Sequence, residues 1–141
     1  MIRTLSAATL GLALFLTPHA LPQARPENPM VVVHGPTVVA CFVPVSDAEM
    51  EKYPNLNESL ADFQLYTAHA RQPLQERGIA FRVLSAHRFR MQVRGSVVNY
   101  LVGGVAYYFI APGNRVHVHT GVMTDTELVE AADAYFDPQA H

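Results

Sequence analysis

Beyond residue 30 the chain alternates short apolar runs with longer stretches in which apolar side chains recur every three or four positions, a pattern that predicts strands separated by helices. Met30-Val31-Val32-Val33 suits a short edge strand, and His34-Gly35-Pro36 turns the chain after it. Thr37 to Val43 is almost unbroken in its apolar character, as in a central strand covered on both faces. Pro44 has no N–H to donate to a ladder and marks its end. Ser46-Asp47-Ala48-Glu49 then has the spacing of a capping box, in which the serine oxygen accepts from the third helical N–H and the glutamate accepts from the cap N–H. The helix that opens there is expected to break near Tyr53-Pro54, to resume with Asn57 as its N-cap, and to run to about Arg77 with a kink at Pro73. Leu60, Phe63, Thr67, Ala70 and Leu74 form its buried stripe, and Gly78 suits the left-handed stop.

The second half is richer in β-formers. Ile79 to Leu84 should lie parallel to the first strong strand, on the far side of the helical crossover. Phe89 to Val93 alternates apolar with polar residues, Arg94-Gly95 reads as a turn, and Val97 to Leu101 returns, giving a hairpin with one solvated face. After Gly103-Gly104, Val105 to Ile110 is another buried strand. It is joined through Ala111-Pro112-Gly113-Asn114 to a strand over Arg115 to Thr120. Thr124-Asp125-Thr126-Glu127 repeats the capping-box spacing at the head of a final helix through Leu128, Ala131, Ala132, Tyr135 and Phe136.

Residues 1–24 break this pattern. Arg3 precedes an uncharged apolar run, Leu5 to Thr17, which fits the core of a secretory signal peptide and is short for a bilayer span. An uncleaved anchor and a buried helix are the competing readings, the latter opposed by Pro18 and Pro22. The chain is therefore read as a signal peptide over 1–24, a leader over 25–36 and one domain over 37–138. It would be exported to the periplasm or secreted, with no stable membrane insertion after signal removal. At 141 residues and 50% apolar content, one core is what the length supports. Ten basic and twelve acidic side chains occur without long runs of either sign, so nothing points to nucleic acid. Cys41 is the single cysteine, which excludes an intramolecular disulfide, and within its apolar run it reads as an inert core thiol. A reactive thiol or an intermolecular bridge is the alternative.

From Gly104 to Phe136 the sequence GVAYYFIAPGNRVHVHTGVMTDTELVEAADAYF resembles the C-terminal half of thioredoxin-like proteins of the exported, TlpA-like type, and VVACFVPVSDAE resembles the strand that enters their redox loop. The likeness covers most of 37–136. It implies an α/β fold with a central mixed sheet flanked by helices, here with an extra β-hairpin around 89–101. Setting Phe42 and Pro44 on the family's aromatic and proline places the two cysteines of its CxxC motif on Ser46 and Glu49. The family's cis-proline falls on Ala106, where a cis bond would cost about 3 kcal/mol. The resemblance thus implies the frame without the redox chemistry.

Remaining constellations have ordinary explanations beside the functional ones. His117 and His119, two apart on a strand, project from one face and could share a metal if His87 or His34 approached; exposed histidines on a sheet edge are the plainer reading. Ser46 has no base set beside it by sequence and a sufficient role as a cap. Arg82, Arg88, Arg90 and Arg94 suit a solvated strand face or an acidic partner, and Tyr107-Tyr108 suit core packing. No cofactor is implied. The expected function is a non-redox binding or accessory module for a peptide or protein partner. The alternative is an enzyme or metal handler using Cys41 or the His117/His119 pair.

Overall fold

Two β-sheets and a pair of packed helices stack as three layers in the structure, a computed structural model that describes residues 28–113 and 115–136. The strands are β1 (Met30–Val33), β2 (Thr37–Phe42), β3 (Ala80–Ser85), β4 (Arg88–Val93), β5 (Ser96–Leu101), β6 (Val105–Ile110) and β7 (Val116–Thr120). The helices are α1 (Asp47–Lys52), α2 (Pro54–Glu76) and α3 (Asp125–Phe136). The signal peptide read over 1–24 and the domain end at 137–138 lie outside the described residues.

The middle layer is the four-stranded sheet β3-β2-β6-β7, in which β3 runs parallel to β2 while β6 and β7 pair antiparallel. The parallel pair is permitted by the crossover through α1 and α2, since parallel neighbours cannot be joined by a tight turn. β2 is buried along nearly its whole length, as its unbroken apolar run requires. Its alternate side chains serve two cores. Val38 and Ala40 meet Phe63, Ala70 and Leu74 of α2 and Leu128 and Ala132 of α3, whereas Val39 and Cys41 meet Phe89, Met91 and Val93 of β4.

That division corrects the expectation of a sheet flanked by helices. The long helices share one face of the middle sheet, and a three-stranded sheet of order β1-β4-β5 covers the other. The cause lies in the period of the intervening sequence: Phe89, Met91 and Val93 alternate with polar residues, which makes one apolar face on a strand and none on a helix. β1, from the segment read as a leader, pairs parallel with β4 and buries Val31 and Val33 in the same core. The hairpin forms as expected. Arg94 and Gly95 both take positive φ, 50° and 82°, in a two-residue loop of the kind whose twist suits antiparallel strands.

Ser46 and Glu49 cap α1, a six-residue helix that ends at the break read near Tyr53-Pro54, and one helix detail differs from expectation. α2 begins at Pro54 with no side-chain cap, so Asn57 lies inside it; proline is favoured at this first position because its missing N–H would have had no helical partner. The helix then continues through Pro73 to Glu76, and the carbonyl deprived of its donor belongs to solvent-exposed His69. Its end follows the sequence reading: Gly78 has φ 73°, and Ile79 N–H donates to the Leu74 carbonyl at 3.0 Å. Among the described residues no helix is long and apolar enough to cross a membrane.

Candidate functional site

At the C-terminal end of β2 the apolar stripe of α2 outruns the sheet it packs against. Phe63, Thr67, Ala70 and Leu74 are buried, but the same stripe continues one and two turns back to half-buried Leu60 and exposed Leu56. Together with Phe42, Val43 and Val45 after β2, and Gly104 and Val105 at the head of β6, they enclose a cleft of about 240 Å³. Ser59 supplies the one side-chain hydroxyl in the lining.

The cleft's backbone is pinned from two sides. Val43 N–H donates to the Gly104 carbonyl at 2.9 Å, and Gly121 N–H donates to the Val105 carbonyl at 2.9 Å. Gly104 turns the chain into β6 at φ 82°, a conformation that favours glycine. Phe42 is the aromatic floor and rests on buried rings: it meets Phe63 edge to face at 5.2 Å between centroids, and Phe63 lies 6.0 Å from Tyr107. The Tyr107 hydroxyl in turn accepts from Met123 N–H at 3.1 Å, tying the floor to the chain that enters α3.

None of the site residues singled out by sequence lines this cleft, and they do not join into one reactive centre. Ser46 and Glu49 stand just beyond Val45 and form the anticipated reciprocal cap. Glu49 N–H donates to Ser46 Oγ at 3.2 Å, Ser46 N–H donates to Glu49 Oε2 at 3.1 Å, and the serine hydroxyl donates to the same carboxylate at 3.4 Å. Both side chains are thereby committed to closing a helix end. Ala106 is buried directly across from Cys41 in the β2–β6 register, and the peptide bonds of the described residues are all trans.

Cys41 lies one residue before Phe42, so strand alternation sends its thiol to the opposite face of the sheet from the cleft floor. It packs there with Leu84 and Tyr108, fully buried, and burial pushes its pKa up from 9.0 to about 12. A thiol so placed is protonated at neutral pH and out of reach of solutes. The native chain should therefore leave a small thiol reagent unreacted over hours at pH 7.5 and take up one equivalent once unfolded in urea. Rapid labelling of the folded protein would contradict the buried placement.

His117 and His119 do share a face of the edge strand β7, as their spacing requires. Their neighbours are aromatic. His117 lies 6.0 Å from Phe109 and 5.7 Å from Tyr135, and His119 lies 6.2 Å from Tyr107. Neither His34, after β1, nor His87, between β3 and β4, completes a site with them: among the described residues no three His, Cys, Asp or Glu side chains come together. The Tyr107 and Tyr108 hydroxyls are both occupied by backbone partners, the latter donating to the Leu101 carbonyl at 3.2 Å.

Sequence reasoning missed the cleft. Its one local signal was the extension of the α2 stripe to Leu56, four residues before Leu60, beyond the point where the sheet can cover it. Comparison of the chain with family models, with curated proteins and with solved structures gives no match.

Proposed function

We propose that this chain is an exported, non-redox binding module of thioredoxin-like architecture, whose cleft beside Phe42 and Leu60 receives an apolar side chain from a peptide or protein partner. Support for the architecture comes from the order β3-β2-β6-β7 with its strand directions, the helical crossover from β2 to β3, and the closing α3; the hairpin and β1 stand where a further helix would be expected. Support for export is the uncharged run Leu5 to Thr17 after Arg3.

The observation that carries the binding reading is the cleft itself. It presents an open apolar surface of side-chain size beside the spot where the resemblance sets a redox centre, while the polar groups there, Ser46 and Glu49, are spent on each other. Burial weighs against thiol chemistry at Cys41, and the aromatic neighbours of His117 and His119 weigh against their serving a metal.

Blocked pentapeptides with leucine, phenylalanine or glycine at the centre provide the test, read by amide NMR shifts. Filling the cleft with a leucine or phenylalanine side chain is worth about 1.5–3 kcal/mol, so those peptides should bind about 10- to 150-fold more tightly than the glycine peptide. The shifts should centre on Leu60, Gly104 and Val105, and Leu60→Glu should abolish them. Equal behaviour of the three peptides, or stoichiometric zinc uptake by the chain, would overturn the reading.

A further inference from the structure

Charge on this molecule is sorted by layer. Every carboxylate among the described residues lies on a helix: Asp47, Glu49 and Glu51 on α1, Glu58, Asp62 and Glu76 on α2, and the remaining four on α3. From Gly78 to Thr124 the chain has no Asp or Glu at all, while Arg88 and Arg90 sit on β4 and Arg94 in the turn to β5. The one salt bridge among the described residues, Arg77 to Asp133, ties the end of α2 to α3, and none of the arginines of the sheet layer has a carboxylate partner among those residues. Arg90 is held instead by the Asn28 carbonyl, through Nε and Nη2 at 3.2 Å each.

β5 is one of the two edge strands of that layer and lacks the usual guarding side chains. Ser96-Val97-Val98-Asn99-Tyr100-Leu101 contains no charge and no proline, and Val97, Val98 and Leu101 are 49%, 48% and 82% exposed. Apart from the Leu101 carbonyl, which accepts from the Tyr108 hydroxyl, such an edge offers unpaired backbone groups to an incoming strand. The register says what the strand should look like. On the outer face Leu101 lies across from Arg88 and Asn99 from Arg90; on the inner face Val98 lies across from buried Met91 and Tyr100 from buried Phe89.

We infer that the free edge of β5 binds, by strand addition, an extended segment of a partner protein in which acidic residues alternate with apolar ones. Its acidic side chains share the outer face with Arg88, about 10 Å away across β5 and so within range of a long arginine and a glutamate reaching over Leu101. Its apolar side chains cover Val98 and extend the core that now stops at Tyr100. Arg94 supplies positive charge at the opposite end of the edge from Arg88. A second copy of this chain is a poor occupant: paired β5 strands would bring arginines together and no carboxylate to meet them.

The probe is a blocked, fluorescein-labelled nonapeptide alternating glutamate with valine, titrated into the full chain by fluorescence anisotropy. Saturable binding that weakens with added salt is expected, with a loss of at least about tenfold in the double variant Arg88→Glu/Arg94→Glu. A lysine-for-glutamate peptide should not bind, and N-methylation of alternate residues along one edge of the probe should cost about tenfold or more. The leucine pentapeptide at saturation should not displace it. Undiminished binding of both N-methylated forms would reduce the effect to charge alone and overturn the inference. So would capture of the chain by phosphatidylglycerol vesicles with no peptide binding, or a dimer in sedimentation that Val98→Lys converts to monomer.

Discussion

Replacing Phe63 by alanine will destabilise the fold by about 3–5 kcal/mol, the range for deleting a fully buried aromatic ring. Phe63 sits where three elements meet: its ring is packed edge to face on Phe42 at the end of β2, faces Tyr107 of β6, and belongs to the α2 stripe. None of these neighbours can collapse freely into the space. Phe42 is fixed by its ladder pairing with both Ser85 and Val105, and Tyr107 by the hydrogen bond from Met123 N–H. A cavity therefore persists, which puts the cost toward the upper end. Against a typical total stability of about 5–15 kcal/mol, a thermal midpoint lower by roughly 15 °C is expected for a domain of this size. Phe63→Leu refills most of the volume and should recover the greater part. The cleft should suffer with the core, since Phe42 loses the ring that holds it; binding of the leucine pentapeptide will weaken in Phe63→Ala even at temperatures where the variant is folded. A loss below about 1 kcal/mol by urea unfolding would contradict the packing described.

What the sequence disclosed and what it concealed divide by the range of the interaction. The two capping boxes, the left-handed stop at Gly78 and the Arg94-Gly95 turn are each decided within a few residues, and each formed as read. The buried strands β2 and β6 were legible because a strand covered on both faces must be apolar throughout. The start of α2 was read wrongly for a local reason too, since Pro54 serves equally as a break and as a first helical residue, and only packing decides. The second sheet was hidden for a different reason. β1 and β4 pair in parallel across some sixty residues, with Val31 set beside Met91, and no local signal announces such a partnership. The cleft needed three segments at once, the end of β2, the start of α2 and the head of β6, and exists because the stripe on α2 is longer than the sheet beneath it. Cys41 was legible in its fate, if not in its neighbours: a thiol inside an unbroken apolar run is buried wherever the run goes.

That buried thiol makes the protein sensitive to alkali in a way that can be isolated. Once the chain unfolds, the thiol of Cys41 ionises near its ordinary value of 9.0, whereas in the folded state burial holds the proton until about pH 12. Between those values the unfolded state binds fewer protons than the folded one, so raising the pH favours unfolding. The contribution is fully present below pH 9 and is lost at about 1.4 kcal/mol per pH unit above it, reaching about 4 kcal/mol by pH 12. Tyr107 and Tyr108 act in the same direction at higher pH, because desolvation raises both; for Tyr107 the hydrogen bond from Met123 N–H opposes the rise and the charge of Glu127 adds to it, and for Tyr108 Cys41 and Tyr100 add to it. Cys41→Ala removes the thiol's share while leaving both phenols in place. The variant will be less stable than the parent at pH 7.5, having lost a packed sulfur, but the gap between them should narrow by about 2 kcal/mol by pH 10.5 in urea unfolding. Parallel curves for the two proteins over that range would mean that the folded thiol ionises as readily as an exposed one, and a nucleophile at Cys41 would then return as a serious reading of the molecule.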